Sequence, residues 1–223
     1  MSSDLGQPEK LTPKHIRPQD LPKPQADWHF TKLGGKLSGL ISISTAATCA
    51  PFCRSRYLNA VDDDICSKCY ATAALSTYRE SMVAALERNR QRLSATWYSP
   101  PEKWPVAIAL RLLSHGDISS PRECANLWHL ASDAPYPHVA MWTKNIDAVA
   151  RCVVRKPKRL QLIYSSPKID ICASKPSALF DRVFTVYRDT VPEDTYACPG
   201  NCASCLVCYS DNDIVNVGII LHR

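Results

Sequence analysis

Eight of the eleven cysteines in this 223-residue chain fall into two compact sets, and this clustering is the strongest constraint on its fold. The first set is a Cys-x3-Cys pair followed, after twelve residues, by Cys-x2-Cys-Tyr. The second set has the spacing Cys-x3-Cys-x2-Cys-x2-Cys. Cysteines two or three residues apart bring their sulfurs round one point, as a tetrahedral metal or a small iron–sulfur cluster requires. We therefore predict two metal or cluster sites, whose ligands are Cys49, Cys53, Cys66 and Cys69 in one and Cys198, Cys202, Cys205 and Cys208 in the other.

The composition is that of an ordinary globular protein, with 45% hydrophobic and 22% charged residues. No run of eighteen apolar residues occurs, so no membrane partner is expected. The N-terminus lacks a basic region followed by an apolar core, and we expect a cytoplasmic protein. In that reducing compartment, metal binding is favoured over disulfide bonding. The net charge of +6 also admits nucleic acid or a phosphorylated partner.

The chain divides into an N-terminal arm and one domain. Residues 1–31 are rich in proline and poor in large apolar side chains, which predicts a flexible or extended arm. Residues 32–223 are long enough for a single α/β domain that carries both cysteine sets.

Strands and helices alternate along that domain. Strands are predicted at 37–44, 106–113, 138–143, 160–164, 183–187 and 214–221. Helices are predicted at 71–96, from Ser120-Pro121 onward, at 146–154 and at 176–180. Such alternation predicts a parallel sheet with right-handed crossovers. Six strands are too few for an eight-fold barrel, so we expect a partial (β/α)6 barrel.

Polar residues follow several of the predicted strands. In parallel sheets the functional groups gather at the carboxyl ends of the strands. The first cysteine set follows the first strand, and four further groups follow later strands. We therefore expect an active site at this edge, with contributions from His115-Gly116-Asp117, Thr143-Lys144, Ser165-Ser166 and Tyr187-Arg188.

This layout resembles that of the radical S-adenosylmethionine (SAM) enzymes, which place a three-cysteine [4Fe–4S] loop directly after the first strand of a partial barrel. The ending Cys66-Ser-Lys-Cys69-Tyr70-Ala71 is similar to the close of that loop in small phage members. From about residue 32 to 222 the chain also resembles the phage "gene product 88" family. The matching elements are Gly116-Asp117, Trp142-Thr143-Lys144 and the loop from Cys198 to Cys208.

The resemblance implies roles for particular residues. Three cysteines would hold a catalytic cluster, namely Cys66 and Cys69 with either Cys49 or Cys53. Asp117 would anchor the SAM amino group, and Gly116, Ser165 and Arg188 would line the cofactor site. His115 and Lys144 are the candidate proton-transfer and charge-neutralising groups. This chain departs from the radical SAM pattern in its twelve-residue insertion, its fourth cysteine and the absence of a Gly-Gly-Glu element.

Two functions remain open at this point. In the first, the chain cleaves SAM to start radical chemistry on a small-molecule or nucleotide substrate, with electrons from a reductant protein and an auxiliary cluster in the second cysteine set. In the second, zinc or closed clusters only brace a nucleic-acid-binding phage protein. Four thiolates at these spacings suit zinc as well as iron. If the protein is phage-encoded, it would act in the host cytoplasm.

Overall fold

A single mixed sheet of eight strands forms the centre of the molecule. The computed structural model describes residues 27–45, 51–69, 71 and 80–221. The predicted α/β class is confirmed. The strands are β1 (Thr31–Lys32), β2 (Leu40–Ile43), β3 (Ala109–Leu112), β4 (His138–Thr143), β5 (Leu160–Ser165), β6 (Arg182–Tyr187), β7 (Tyr196–Ala197) and β8 (Asn216–Ile220).

Six of these strands are parallel and lie side by side in chain order. They are β2, β3, β4, β5, β6 and β8, each hydrogen-bonded to the next. Strand β1 pairs antiparallel with β2 at one edge, and β7 adds to the far side of β8. Helices that connect β2 to β3, β3 to β4 and β4 to β5 pack on one face of the sheet, whereas the connection from β6 to β8 packs on the other.

The helices are α1 (Pro51–Leu58), α2 (Glu80–Ser94), α3 (Pro121–Asp133), α4 (Ile146–Ala150) and α5 (Cys202–Cys205). Helix α3 begins where the sequence predicts, because the Ser120 hydroxyl accepts a hydrogen bond from the Glu123 amide and Pro121 occupies the first turn. Three short 3-10 helices lie at Gly35–Leu37, Ile65–Lys68 and Val207–Tyr209.

The main core lies between the sheet and α2, α3 and α4, on what we term the helix face. Alternate strand residues point into it, as the two-residue period of a strand requires. Leu93 of α2 and Leu127 and Trp128 of α3 are almost completely buried there. Each such side chain contributes about 1.5–3 kcal/mol by burial. The strand side of this core consists of Ile41, Ile43, Leu110, Leu112, Val139, Met141, Leu160 and Leu162.

The other side of the sheet, which we term the opposite face, carries a smaller core. Leu40, Ala109, Ala140 and Ile163 point from four adjacent strands, and Tyr209 packs on them. The second cysteine loop therefore covers part of this face. The carboxyl ends of the parallel strands lie together at one end of the sheet, which we term the carboxyl edge.

Several elements differ from the sequence prediction. The segment 176–180 consists of bends and turns, so the predicted helix there is wrong. Strand β3 begins three residues late because Val106 is fully exposed. Residues 27–31 of the predicted arm contact the domain through Trp28, whose indole N–H donates to the Ser99 carbonyl at 2.9 Å. The rest of the arm, and residues 72–79 of the predicted 71–96 helix, lie outside the described residues.

None of the helices in the described ranges combines the length and apolar character needed to cross a membrane.

Gly218 of β8 lies where no side chain fits, and its replacement should be destabilising. A Cβ at this position would be 2.7 Å from the Tyr187 ring and 2.8 Å from Val191. We expect Gly218→Ala to lower the free energy of unfolding by about 1–3 kcal/mol through overpacking, measured by urea denaturation. Gly34→Ala is the matched control, since a Cβ there meets nothing within 4 Å. Equal stability of the two variants would contradict this packing.

Candidate iron–sulfur site at the carboxyl edge

The residues predicted to form a site follow parallel strands that are neighbours in the sheet. The segment from Ser114 to Asp117 follows β3, Lys144 follows β4, Ser165 ends β5 and Arg188 follows β6. Parallel strands end at the same edge, so these residues share the carboxyl edge of the sheet.

The first cysteine segment is held against this edge. Cys53 lies in α1, Cys66 lies in the 3-10 helix that follows, and Cys69 ends that helix. Cys49 lies outside the described residues. The Asp64 carboxylate fixes the 3-10 helix by accepting a hydrogen bond from the Cys66 amide at 2.8 Å.

The same segment pairs with the loop after β5, three strands away from its starting point. The Ile65 amide donates to the Pro167 carbonyl at 2.8 Å, and the Ile169 amide donates to the Asp63 carbonyl at 2.8 Å. The Lys168 ammonium also pairs with the Asp63 carboxylate at 2.8 Å. The chain from β2 therefore crosses the carboxyl edge and is fixed on its far side.

This crossing brings Cys66 close to Arg56, Asp64 and Lys144. Burial raises the pKa of the Cys66 thiol and Asp64 acts in the same direction, whereas Lys144 and a hydrogen bond with Arg56 act to lower it. Arg56 is itself held by Asp64, with 2.7 Å between the guanidinium and the carboxylate. Positive neighbours of this kind stabilise a thiolate, which is the form that ligates metals. At Cys66 the two cations favour the thiolate, whereas burial and Asp64 favour the thiol.

Asp117 is buried and accepts three hydrogen bonds within the chain. Its donors are the Thr143 hydroxyl at 2.5 Å, the Lys144 amide at 2.8 Å and the Ile118 amide at 2.8 Å. Burial raises the pKa of this carboxyl, and Lys144 opposes the shift. The carboxylate therefore ties the loop after β3 to the end of β4. An ionised carboxylate has about four acceptor positions, so three bonds leave little capacity for a ligand amine.

The other predicted residues differ in their surroundings. The Lys144 ammonium donates to the Ser165 hydroxyl at 3.1 Å, which joins the ends of β4 and β5. Gly116 has a φ of 88°, so a glycine suits the turn before Asp117. Burial, followed by the charge of Arg111, lowers the pKa of His115. Arg188 takes no part in the hydrogen bond between Lys144 and Ser165, and its exposed guanidinium pairs instead with Asp170 at 2.5 Å.

A ring of buried serines at the same edge was not predicted. The hydroxyls of Ser42, Ser44 and Ser114 are mutually hydrogen-bonded at 2.7–3.0 Å. The amides of Ser114 and His115 also donate to this ring. The alternating Ile-Ser-Ile-Ser of residues 41–44 was the available signal, since it directs hydroxyls to one face of β2.

The second cysteine set lines one cavity beneath the opposite face. Cys198, Cys202, Cys205 and Cys208 all border it, together with Tyr209. Burial and the neighbouring cysteines raise the pKa of the Cys208 thiol to about 12. Four cysteines bordering one cavity are the residue type that zinc or an iron–sulfur cluster takes as ligands. Across the described ranges, however, no three His, Cys, Asp or Glu side chains are grouped so that they could hold a metal ion as they stand.

Arg182 fastens this second loop to the sheet. Its guanidinium is buried and donates to the carbonyls of Val207 at 3.1 Å and of Ser210. Burial lowers the pKa of Arg182, because it disfavours the charged form.

Removing that guanidinium should loosen the loop. We expect Arg182→Met to lower the free energy of unfolding by about 2–4 kcal/mol, since two carbonyls lose charged donors. We also expect this variant to bind less metal at the second cysteine set. Denaturation and metal analysis measure the two effects. Arg151→Met, at an exposed arginine, should change stability by less than about 0.5 kcal/mol. An Arg182→Met protein as stable as this control would contradict the anchoring role.

Comparisons with known proteins identify no relative. No family model, curated protein or solved structure matches this chain. The resemblance to radical SAM enzymes and to the phage family therefore stays a prediction based on the residues.

Proposed function

We propose that this chain is an iron–sulfur enzyme of the radical SAM type, built on a partial (β/α)6 barrel. The order of the six parallel strands supports this proposal, because a partial barrel requires strands that follow one another without reversal. The observation that carries it is the path of the first cysteine segment. That segment leaves the first parallel strand, crosses the carboxyl edge and brings Cys66 close to Lys144.

Cys66 and Cys69, with either Cys49 or Cys53, would hold the catalytic cluster. When bound, such a cluster supplies the electron that cleaves SAM reductively to a 5′-deoxyadenosyl radical. Around this cluster, Arg56 and Lys144 offset the negative charge of the thiolates. The pairing between residues 63–65 and 167–169 keeps the cysteine segment over the edge.

Asp117 has a positioning role in this proposal. It holds the Lys144 backbone in place through the hydrogen bond at 2.8 Å, and the Lys144 ammonium then reaches Ser165. The lysine would neutralise a carboxylate or phosphate of SAM or substrate at this edge. His115, whose pKa is lowered by burial, is available to move a proton there.

The second cysteine set would hold an auxiliary cluster or a zinc ion. In either case it would brace the loop that packs on the opposite face, and a cluster would in addition transfer electrons. The proposed partners are a reductant protein and a small-molecule or nucleotide substrate. The proposed location is the cytoplasm, where thiols stay reduced.

A zinc-braced nucleic-acid-binding protein is the second candidate, and one surface favours it. The segment 151–159, between α4 and β5, contains five cations and no acid, and four of them are exposed: Arg151, Arg155, Lys158 and Arg159. The arginines of α2 do not extend this surface. They are half-buried, with Arg90 paired to Glu87 at 2.7 Å and Arg92 over the Trp28 ring.

Anaerobic purification followed by iron, sulfide and zinc analysis separates the two candidates. The radical SAM proposal requires at least about four irons and an equal amount of sulfide for each chain, and about eight if both sets hold clusters. About two zincs with no sulfide, together with salt-dependent binding to DNA or RNA, would instead support the second candidate.

A further inference from the structure

A row of residues with three polar side chains crosses the opposite face of the sheet. Strand register aligns Ser42 of β2 with Arg111 of β3, Arg111 with Ala140 of β4, and Ala140 with Gln161 of β5. Aligned residues of parallel strands point to the same face. Ser42 and Ala140 are the two small residues of this row, and Tyr209 packs on the sheet at Ala140 between the two long polar side chains.

Arg111 carries a positive charge that no described carboxylate pairs with. Its guanidinium carbon lies 4.3 Å from the centre of the Trp142 ring, so the cation stacks on the indole. The Trp142 ring is in turn fixed by Phe184 and Tyr209, with ring centroids 6.4 Å and 5.6 Å away. Stacking on the Trp142 ring thus fixes the position of the Arg111 guanidinium.

Two buried polar atoms in this row find no hydrogen-bond partner among the described residues, namely Nε of Arg111 and Oε1 of Gln161. Tyr209 is only 2% exposed and Gln161 only 5%. Burial raises the pKa of Tyr209, whereas the charge of Arg111 and a hydrogen bond with it act to lower that pKa, so these two groups lie close together. Leaving buried polar atoms unpaired costs about 1–3 kcal/mol for each, and such a group calls for an explanation.

We propose that Arg111, Gln161 and Tyr209 form a binding site for a small oxyanion, a carboxylate or a phosphate group. Arg111 would donate to the oxyanion and Tyr209 would give a second donor. The Gln161 carbonyl would accept from a hydroxyl or amine on the same molecule. Together these groups would recognise a compact substrate that carries both an anion and a hydrogen-bond donor.

The position of the row fits the proposed function, on which the assignment to substrate rests. Arg111 lies one residue before the end of β3, and its charge acts on His115 in the loop after that strand. On its other side it acts on Cys202 of the second cysteine set. A substrate bound here would lie between the loop after β3 and the second cysteine set.

Binding is tested without SAM or reductant, so that its outcome does not depend on the proposed reaction. Inorganic phosphate and acetate are titrated separately into the anaerobically purified full-length protein, at constant ionic strength set with chloride, by calorimetry and by thermal unfolding. We expect saturable binding of at least one anion. Tighter binding of phosphate would assign a phosphorylated ligand, and tighter binding of acetate would assign a carboxylate.

Variants at Arg111 connect this binding to the row. We expect Arg111→Met to abolish saturable binding, and Arg111→Lys, which keeps the charge but loses the planar fork, to weaken it about tenfold. Arg122→Met removes an exposed charge at the start of α3 and should bind as the wild type does. The Arg111→Lys variant keeps the test decisive if Arg111→Met does not fold. The proposal is overturned if neither anion saturates the wild type, or if Arg111→Lys binds as tightly as the wild type.

Discussion

Replacing Cys66 by alanine is expected to reduce SAM cleavage to background and to remove the iron of one site. Cys66 is the cysteine that the structure brings close to Lys144 and Arg56 at the carboxyl edge. Losing this thiolate leaves the catalytic cluster one ligand short, and the iron content should therefore fall by about four atoms for each chain. Anaerobic iron analysis and quantification of 5′-deoxyadenosine measure the two effects.

Cys172→Ala is the matched control for this experiment. Cys172 is an exposed cysteine outside both sets, and its thiol lies 3.8 Å from the neighbouring Ala173 carbonyl. This variant should keep the iron content and the cleavage rate of the wild type. Cleavage by Cys66→Ala at the wild-type rate would exclude Cys66 as a ligand of the catalytic cluster.

Replacing Asp117 by alanine is expected to lower the free energy of unfolding by about 2–4 kcal/mol. The change leaves the buried Thr143 hydroxyl and the amides of Ile118 and Lys144 without their acceptor. Asp117→Asn should cost less, because one amide oxygen still accepts while the NH2 group faces a donor. Chemical denaturation at neutral pH measures both changes.

Asp189→Ala is the control, since Asp189 is exposed and its loss should change stability by less than about 0.5 kcal/mol. If Asp117→Ala is as stable as this control but no longer binds SAM, the carboxylate acts as a ligand anchor and its bracing role is wrong.

Local sequence patterns predicted correctly those strands and helices whose ends are determined by neighbouring residues. The β4 strand runs over 138–143 as predicted, because its apolar run ends at polar residues on the carboxyl side. Helix α3 starts at Pro121 because Ser120 and Pro121 are favoured at those positions. The predicted helix at 176–180 was wrong because a short apolar run with one proline does not by itself distinguish a helix from a turn.

Features that depend on the register between distant strands could not be predicted from the sequence. The serine ring joins residues about seventy positions apart in the chain, and the polar row requires four strands to align. The same is true of the pairing between residues 63–65 and 167–169, which takes Cys66 across the edge. Asp117 was correctly expected at the carboxyl edge, yet its three internal partners could not be foreseen because two of them lie at the end of another strand.

The most direct test of the central proposal is SAM cleavage by the anaerobically purified wild-type chain with a strong chemical reductant. The proposal predicts 5′-deoxyadenosine and methionine in equal amounts, formed only when the reductant is present. A protein that contains iron and sulfide but forms no 5′-deoxyadenosine under these conditions would contradict it.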